Sequence, residues 1–287
     1  MTQSSFSPWE KVQIARHPHR PHTLDYVRAL TEDFTELHGD RHYGDDQAII
    51  GGLARFDGRT VMIIGHQKGR DARENVRRNF GMPRPEGYRK AMRLFRHAEK
   101  FGLPLLCLID TPGADPTMES EERGQGTALG ENILAMSNLP VPIVAIIIGE
   151  GGSGGAVAIG VADRLLMLEH AVFSTAAPEA SAAILWRDSA KAPDAAKAMK
   201  ITAQDQLALG LIDAIVPEPE GGAHTSADTT IAAVGEALLS HMRQIEAIPI
   251  RQLLERRYQK YRAIGRFIDA QRELLPPADA PQPLPFV

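Results

Sequence analysis

The chain has 287 residues, enough for one large α/β domain or two small ones, and its 43% hydrophobic and 24% charged residues are typical of a globular protein. A formal net charge of −4 argues against a general nucleic-acid-binding protein. The single cysteine, Cys107, excludes an internal disulfide framework and a cysteine-based zinc site within the chain. Because it shows neither a signal-peptide pattern nor an apolar run of about 18 residues, we expect a cytoplasmic protein without a membrane segment.

The first 45 residues are predicted to form a helical arm. Residues 1–22 are rich in histidine, arginine and proline. A docked basic arm is favoured over a metal site here, because the prolines impose an extended backbone and the arginines repel a cation. Thr23 or Asp25 is expected to begin a helix that runs to about Leu37.

Residues 46–226 carry the pattern of an α/β domain. Residues 48–56 and 60–65, on either side of Asp57-Gly58, predict a β-hairpin. The remaining predicted strands are 103–109, 141–148, 164–168 and 172–174, and the predicted helices are 85–100, 121–139, 180–186 and 195–209. Successive units of apolar strand, polar turn and helix indicate parallel strands.

The carboxy-terminal part divides in two. Residues 227–275 are charged and are predicted to be helical, whereas residues 276–287 are rich in proline and are expected to be disordered.

The most informative segment is the glycine-rich turn, residues 149–156, which reads Gly-Glu-Gly-Gly-Ser-Gly-Gly-Ala. It follows a predicted buried strand and begins a predicted helix over the small residues 156–162. Glycines permit a close approach to bare backbone, and a helix start offers free N–H groups. The turn is therefore predicted to hold an anion or a developing oxyanion. Ser153 is interpreted as a helix cap, and Glu150 as either a base or a solvent-facing side chain.

Alternative motifs fit less well. The spacing Gly149-x-Gly151-x-x-Gly154 matches the dinucleotide fingerprint, but it does not lie in the first strand–helix unit. Asp110-Thr111-Pro112-Gly113 is similar to the second motif of nucleotide hydrolases, whose phosphate loop this chain lacks. No nucleophile elbow surrounds a serine. The remaining candidate sites are the two turns that follow strands, residues 111–114 and 149–155, which could bind a ligand through their backbone N–H groups.

Several longer motifs resemble one family. They are residues 38–41 (His-Gly-Asp-Arg), 65–70 (Gly-His-Gln-Lys-Gly-Arg), 78–83 (Arg-Asn-Phe-Gly-Met-Pro), 85–91 (Pro-Glu-Gly-Tyr-Arg-Lys-Ala), 110–114, 121–125, the glycine-rich turn, 184–186, 212–213, 217–219 and 221–224. In this order they resemble the alpha subunit of the carboxyltransferase component of bacterial and plastid acetyl-CoA carboxylase, over roughly residues 8 to 225.

The resemblance implies a crotonase-like spiral of ββα units, with a helical amino-terminal arm and a helical carboxy-terminal region. It implies transfer of CO2 from carboxybiotin, carried on the biotin carboxyl carrier protein and loaded by biotin carboxylase, to acetyl-CoA. The product, malonyl-CoA, enters fatty acid biosynthesis. The implied enzyme is active only with a beta subunit in an α2β2 heterotetramer. Zinc is expected on the beta subunit and no metal on this chain.

The resemblance also implies site residues. The backbone oxyanion hole is assigned to Gly151 and Gly152. Substrate binding is assigned to further residues of the two turns: Gly154, Gly155, Gly113 and Ala114. It is also assigned to a basic stretch that is expected near CoA phosphates or the carrier protein and contains Lys68, Arg73 and Arg77.

Two departures from the family pattern leave alternatives open. They are Asp115, which adds negative charge near the expected biotin channel, and Ala180-Ser181. They motivate a second hypothesis, a non-catalytic or specialised paralogue that acts on another acyl-CoA. A free-standing hydratase of the crotonase type or a nicotinamide enzyme is a third.

Overall fold

The computed structural model describes residues 6–265. The predicted tail, residues 276–287, and the last ten residues of the predicted helical region lie outside this range. None of the helices within it combines the length and the apolar composition that crossing a membrane requires.

Eight strands of the described chain form one sheet: β1 (Glu32–Glu36), β2 (Ile49–Phe56), β3 (Arg59–His66), β4 (Leu105–Thr111), β5 (Ile143–Gly152), β6 (Arg164–Leu168), β7 (Val172–Ser174) and β8 (Ala214–Val216). Their order is β1-β2-β3-β4-β5-β6-β8, and β7 pairs with the end of β5. The pairs β1·β2 and β2·β3 are antiparallel, whereas every pair from β3 onward is parallel. The predicted hairpin and parallel strands are thus confirmed.

Twelve α-helices cover the sheet within residues 6–265: α1 (Pro8–Ala15), α2 (Thr23–Leu30), α3 (Ala72–Arg77), α4 (Pro85–Phe101), α5 (Met118–Glu122), α6 (Gln125–Asn138), α7 (Ser153–Val157), α8 (Pro178–Trp186), α9 (Ala192–Ala198), α10 (Ala203–Ala208), α11 (Ala227–Glu246) and α12 (Ile250–Arg262). Helix α4 shows why these segments are helical. Pro85 fits its first turn, Gly102 ends it in the left-handed conformation with φ +63°, and Leu94 and Phe95 on its buried face pack into the core.

The predicted helix from Thr23 to Leu37 is wrong in its second half. The helix ends at Leu30, and residues 32–36 form β1 along the edge of β2. Gly52 of β2 allows this pairing, because a Cβ there would overlap the carbonyl oxygen of Thr35. Hydrogen bonds to the free edge of β2 therefore determine the conformation of residues 32–36, despite the local helical pattern. Between Glu32 and Thr35 the register shifts by a bulge.

Two other predicted helices are interrupted. The segment 121–139 divides into α5 and α6 because Gly124 adopts φ +83°. The segment 195–209 divides into α9 and α10, with Lys200 at φ +56° and the Thr202 hydroxyl accepting the N–H of Asp205 as a new cap. The predicted domain boundaries at residues 45 and 226 stay predictions.

The core is centred on β4 and β5, whose residues are all buried. Cys107 lies in β4 as a buried hydrophobic residue, as expected. At the amino end of β5, the Asp163 carboxylate accepts the N–H of Ile143 at 2.8 Å and pairs with Arg257 of α12 at 2.7 Å. The carboxy-terminal helical region thereby fixes the start of β5. Because β4 and β5 are parallel neighbours, their carboxyl ends lie side by side.

Candidate functional site

The two glycine-containing turns meet at the ends of β4 and β5, where Thr111 pairs with Gly151. A Cβ on Gly152 would overlap the carbonyl oxygen of Pro112, and a Cβ on Gly155 would lie 2.6 Å from the nitrogen of Ala114. Only glycine permits this approach. The structure therefore brings together Gly113, Ala114, Gly152 and Gly155, which the sequence analysis placed in one site.

The helix that follows the turn is shorter than predicted. Helix α7 has only five residues and begins at Ser153, which adopts φ +53° and makes no capping hydrogen bond through its side chain. The prediction that Ser153 caps a longer helix is therefore wrong. A helix of little more than one turn adds little dipole, so any anion binding here depends on individual backbone N–H groups.

Exposure differs along the turn. Gly151 and Gly152 are buried, Ser153 is exposed and Gly154 is half-buried. The Cα of Gly151 faces the ring of Phe173, because a Cβ there would lie 2.9 Å from Phe173 Cδ2. The assignment of the oxyanion hole to Gly151 and Gly152 stays a prediction, and solvent reaches the turn beside them.

A buried ion-pair network lies beneath the turn. Lys68 Nζ is 2.7 Å from Asp110 Oδ1 and 2.9 Å from Glu150 Oε1, and all three side chains are largely buried. Burial alone lowers the pKa of Lys68, but the two carboxylates raise it above its ordinary value. Burial alone raises the pKa of Asp110, but Lys68 and His22 lower it well below its usual range. Lys68 and Asp110 therefore both stay charged at neutral pH.

Glu150 does not face solvent, contrary to one of its two predicted roles. Its Oε2 is 2.7 Å from Arg16 Nε, and Arg16 Nη1 is 2.5 Å from Glu179 on α8. Both oxygens of Glu150 are occupied by cations, so neither is free to take a proton from a substrate. The other interpretation of Glu150 is thus unfavourable too.

The described part of the amino-terminal arm, residues 6–22, is docked, as predicted. Arg20 is buried and its guanidinium pairs with Glu218 at 2.5 Å. The nearby histidines make ring contacts, with the centroids of His17 and His224 3.8 Å apart. Within residues 6–265, no three or more histidine, cysteine or acidic side chains are grouped so that they could hold a metal ion.

The basic stretch does not form one surface. Lys68 points inward to its two carboxylates, whereas Arg73 and Arg77 are exposed on α3. Arg77 lies 3.5 Å from Glu74 one turn away. Binding of substrate by Lys68, Arg73 or Arg77 stays a prediction, but only the two arginines present their charge to solvent.

Asp115 is buried rather than added to an open channel. Its Oδ2 accepts the hydroxyls of Thr117 at 2.6 Å and Ser120 at 2.5 Å. Burial raises the pKa of Asp115, but these hydroxyls lower it below its ordinary value. The departure from the family pattern at this position thus stabilises the start of α5.

Three further residues at the site, Arg16, His22 and His66, were not predicted from the sequence. His22 Nδ1 lies 3.4 Å from Asp110 Oδ2. His66 at the end of β3 is fully buried, and its ring lies against the backbone of Gly155. Burial lowers the pKa of His66 to about 3. Its position in the motif 65–70, directly after an apolar strand, was the available signal.

Comparison with known proteins gives a consistent result. The family described as acetyl co-enzyme A carboxylase carboxyltransferase-like matches residues 1–265. The acetyl-coenzyme A carboxylase carboxyl transferase subunit alpha of Synechococcus sp. (strain CC9311) is 54% identical over 265 residues, which cover 92% of this chain and 80% of that protein. The subunit of the same name from Heliobacterium modesticaldum is 57% identical over 259 residues, covering 90% and 77%.

Solved structures share the fold at low sequence identity. Transcarboxylase 12S superposes with a TM-score of 0.65 and 17% identity, over 96% of this chain and 50% of that chain, so the chain spans half its length. A Pseudomonas malonate decarboxylase heterotetramer in complex with coenzyme A gives a TM-score of 0.61 and 20% identity, over 75% and 86%. These similarities confirm the predicted crotonase-like carboxyltransferase fold.

The glycine contact gives a first testable prediction. We expect Gly152→Ala to lower the free energy of unfolding by about 1–3 kcal/mol or more, because its methyl group overlaps Pro112. Gly154→Ala is the matched control, since its methyl group would lie 3.5 Å from Leu129 Cδ1, an ordinary contact. Urea unfolding of both variants measures the difference, and equal stabilities would contradict the close approach.

His66 gives a second prediction, on pH. Its folded pKa of about 3 lies below the unfolded value, so the unfolded chain binds a proton first as pH falls below about 6.5. We expect the stability of the protein relative to His66→Asn to fall by up to about 1.4 kcal/mol per pH unit between pH 6 and pH 4. His42→Asn, at an exposed position, is the control. A pH-independent difference in urea unfolding would refute the assignment.

Proposed function

The chain belongs to the acetyl-CoA carboxylase carboxyltransferase family, and we propose that it acts as the alpha subunit that positions carboxybiotin for transfer of CO2 to acetyl-CoA. The observation that carries the proposal is the contact between the turns 111–114 and 149–155, where bare backbone replaces side chains at the ends of β4 and β5. The family match supports this activity rather than a non-catalytic paralogue.

The chemistry requires little from side chains. When bound, carboxybiotin would supply CO2 and, once its N–C bond had broken, a basic ureido nitrogen able to take the proton from the acetyl methyl group. The carbon left on acetyl-CoA forms the new C–C bond with CO2 and gives malonyl-CoA. Negative charge develops on the ureido oxygen, and fixed N–H donors stabilise such charge by about 3 kcal/mol each. This accounts for a site without a free base.

We assign those donors to the N–H groups of Gly151 and Gly152. Gly154, Gly155, Gly113 and Ala114 form the surrounding backbone surface. Supporting this assignment, the position of Glu150, the residue before them, is held by three polar contacts, and the turn is open to solvent at Ser153. No side chain is needed between the substrate and the backbone.

The remaining parts of the reaction belong to partners. We propose a zinc-containing beta subunit that presents the acyl-CoA, assembly as an α2β2 heterotetramer, and a biotin carboxyl carrier protein loaded by biotin carboxylase. Fatty acid biosynthesis in the cytoplasm is the setting that fits malonyl-CoA. Burial raises the pKa of Cys107, which disfavours the thiolate that zinc would need in this chain.

The reverse reaction tests this function. We expect malonyl-CoA-dependent carboxylation of free biotin by a mixture of this chain and its cognate beta subunit, and none by either chain alone. Crotonyl-CoA hydration and dinucleotide binding by the isolated chain serve as controls for the other reaction classes. An inactive mixture that nevertheless purifies as a complex would contradict the assigned substrate.

The exposed arginines of α3 give a separate prediction. If they meet CoA phosphates, Arg73→Glu and Arg77→Glu will raise the KM for acetyl-CoA about five- to tenfold with little change in kcat, because a charge pair near the surface is lost. Arg96→Glu, at an exposed position on α4, is the control. An unchanged KM for acetyl-CoA with a raised KM for the carrier protein would place the carrier there instead.

A further inference from the structure

The buried Lys68–Asp110 pair is connected directly to the backbone of the glycine-rich turn. We propose that Asp110 and Glu150 are positioning residues: their contacts hold the backbone N–H and the side chain of Glu150, directly before Gly151, and thereby orient the N–H groups of Gly151 and Gly152. This inference rests on the proposed function. It assigns to two carboxylates a role in CO2 transfer without contact between them and the substrate.

Asp110 holds the backbone of the turn. Its Oδ1 accepts the N–H of Glu150 at 3.0 Å and pairs with Lys68 Nζ at 2.7 Å. The same carboxylate lies against the Cα of Gly149, where any Cβ would overlap Oδ1. Asp110 is 2% exposed, so its hydrogen bond to the turn is shielded from competing water.

Glu150 holds the turn through its side chain. Its carboxylate is fixed between Lys68 at 2.9 Å and Arg16 at 2.7 Å. Displacement of Glu150 therefore disturbs a backbone hydrogen bond and two ion pairs together. Donors in an oxyanion hole are effective when they are fixed before the reaction begins. The network meets this condition for the two residues that follow.

The other end of β5 supplies a matched control. There Asp163 Oδ2 accepts the N–H of Ile143 at 2.8 Å and pairs with the buried Arg257 at 2.7 Å. The two carboxylates have the same kinds of partner and similar burial. Along the strand, Ile143 and Glu150 are about 23 Å apart. Asp110 and Asp163 thus both hold β5 in the fold, but of the two only Asp110 is next to the glycine-rich turn.

Four variants of the full chain, each combined with the beta subunit, test the proposal: Asp110→Asn, Asp110→Leu, Asp163→Asn and Asp163→Leu. The measured quantities are the kcat and the KM for malonyl-CoA in biotin carboxylation, and the midpoint of unfolding. Asparagine keeps an oxygen that accepts the N–H of Glu150, whereas leucine removes it. We expect Asp110→Leu to lower kcat about a hundredfold and Asp110→Asn to lower kcat about tenfold. In both variants the KM for malonyl-CoA should change less than about threefold.

Both Asp163 variants should lower the midpoint of unfolding and leave the kcat of the folded complex within about threefold of the wild type. Equal losses of kcat at positions 110 and 163, or a loss that appears in KM, would overturn the proposal. Where Asp110→Leu does not fold, Glu150→Gln decides, since it keeps the peptide and removes the charge between Lys68 and Arg16. An unchanged kcat in that variant rejects the inference. An inactive wild-type complex instead rejects the proposed function.

Discussion

Both ends of β5 are fixed by buried carboxylates that accept a strand N–H while pairing with a cation. Asp163 and Arg257 fix the amino end, and Asp110 and Lys68 fix the end that leads into the glycine-rich turn. Breaking one partner of such a buried pair costs about 3–5 kcal/mol, because the other charge is left uncompensated. The register of the central strand therefore depends on α12 at one end and on the residues after β3 at the other.

The glycines of the site serve packing and chemistry at once. Gly152 and Gly155 are needed because two turns touch through their backbones, with no space for a methyl group. Because of the same contact, main-chain groups and not side chains are available to interact with a substrate at this edge of the sheet. Loss of activity on replacing Gly152 would therefore report on packing first. The charged residues around the turn are the more informative positions for separating orientation from stability.

Local patterns predicted the parts of the fold that local forces decide. Two apolar segments on either side of Asp57-Gly58 indicated the hairpin, and apolar runs indicated β4 and β5. The segment 32–36 could not be predicted, because its hydrogen bonds go to β2 and not to its own neighbours. The orientation of Glu150 could not be predicted either, since its partners lie 82 and 134 residues away in sequence. The site was located by its glycines, but its ion pairs exist only in the folded chain.

The edge strand β1 has a consequence for how copies of this chain associate. It is short, it contains a bulge with Asp33 at φ +55°, and Glu32 and Asp33 are exposed along it. Acidic side chains and a bulge at a sheet edge prevent a second sheet from adding its strands there, which is how many proteins avoid growing into aggregates. Larger assemblies that contain this chain must then join through side-chain surfaces and not by continuing the sheet beyond β1.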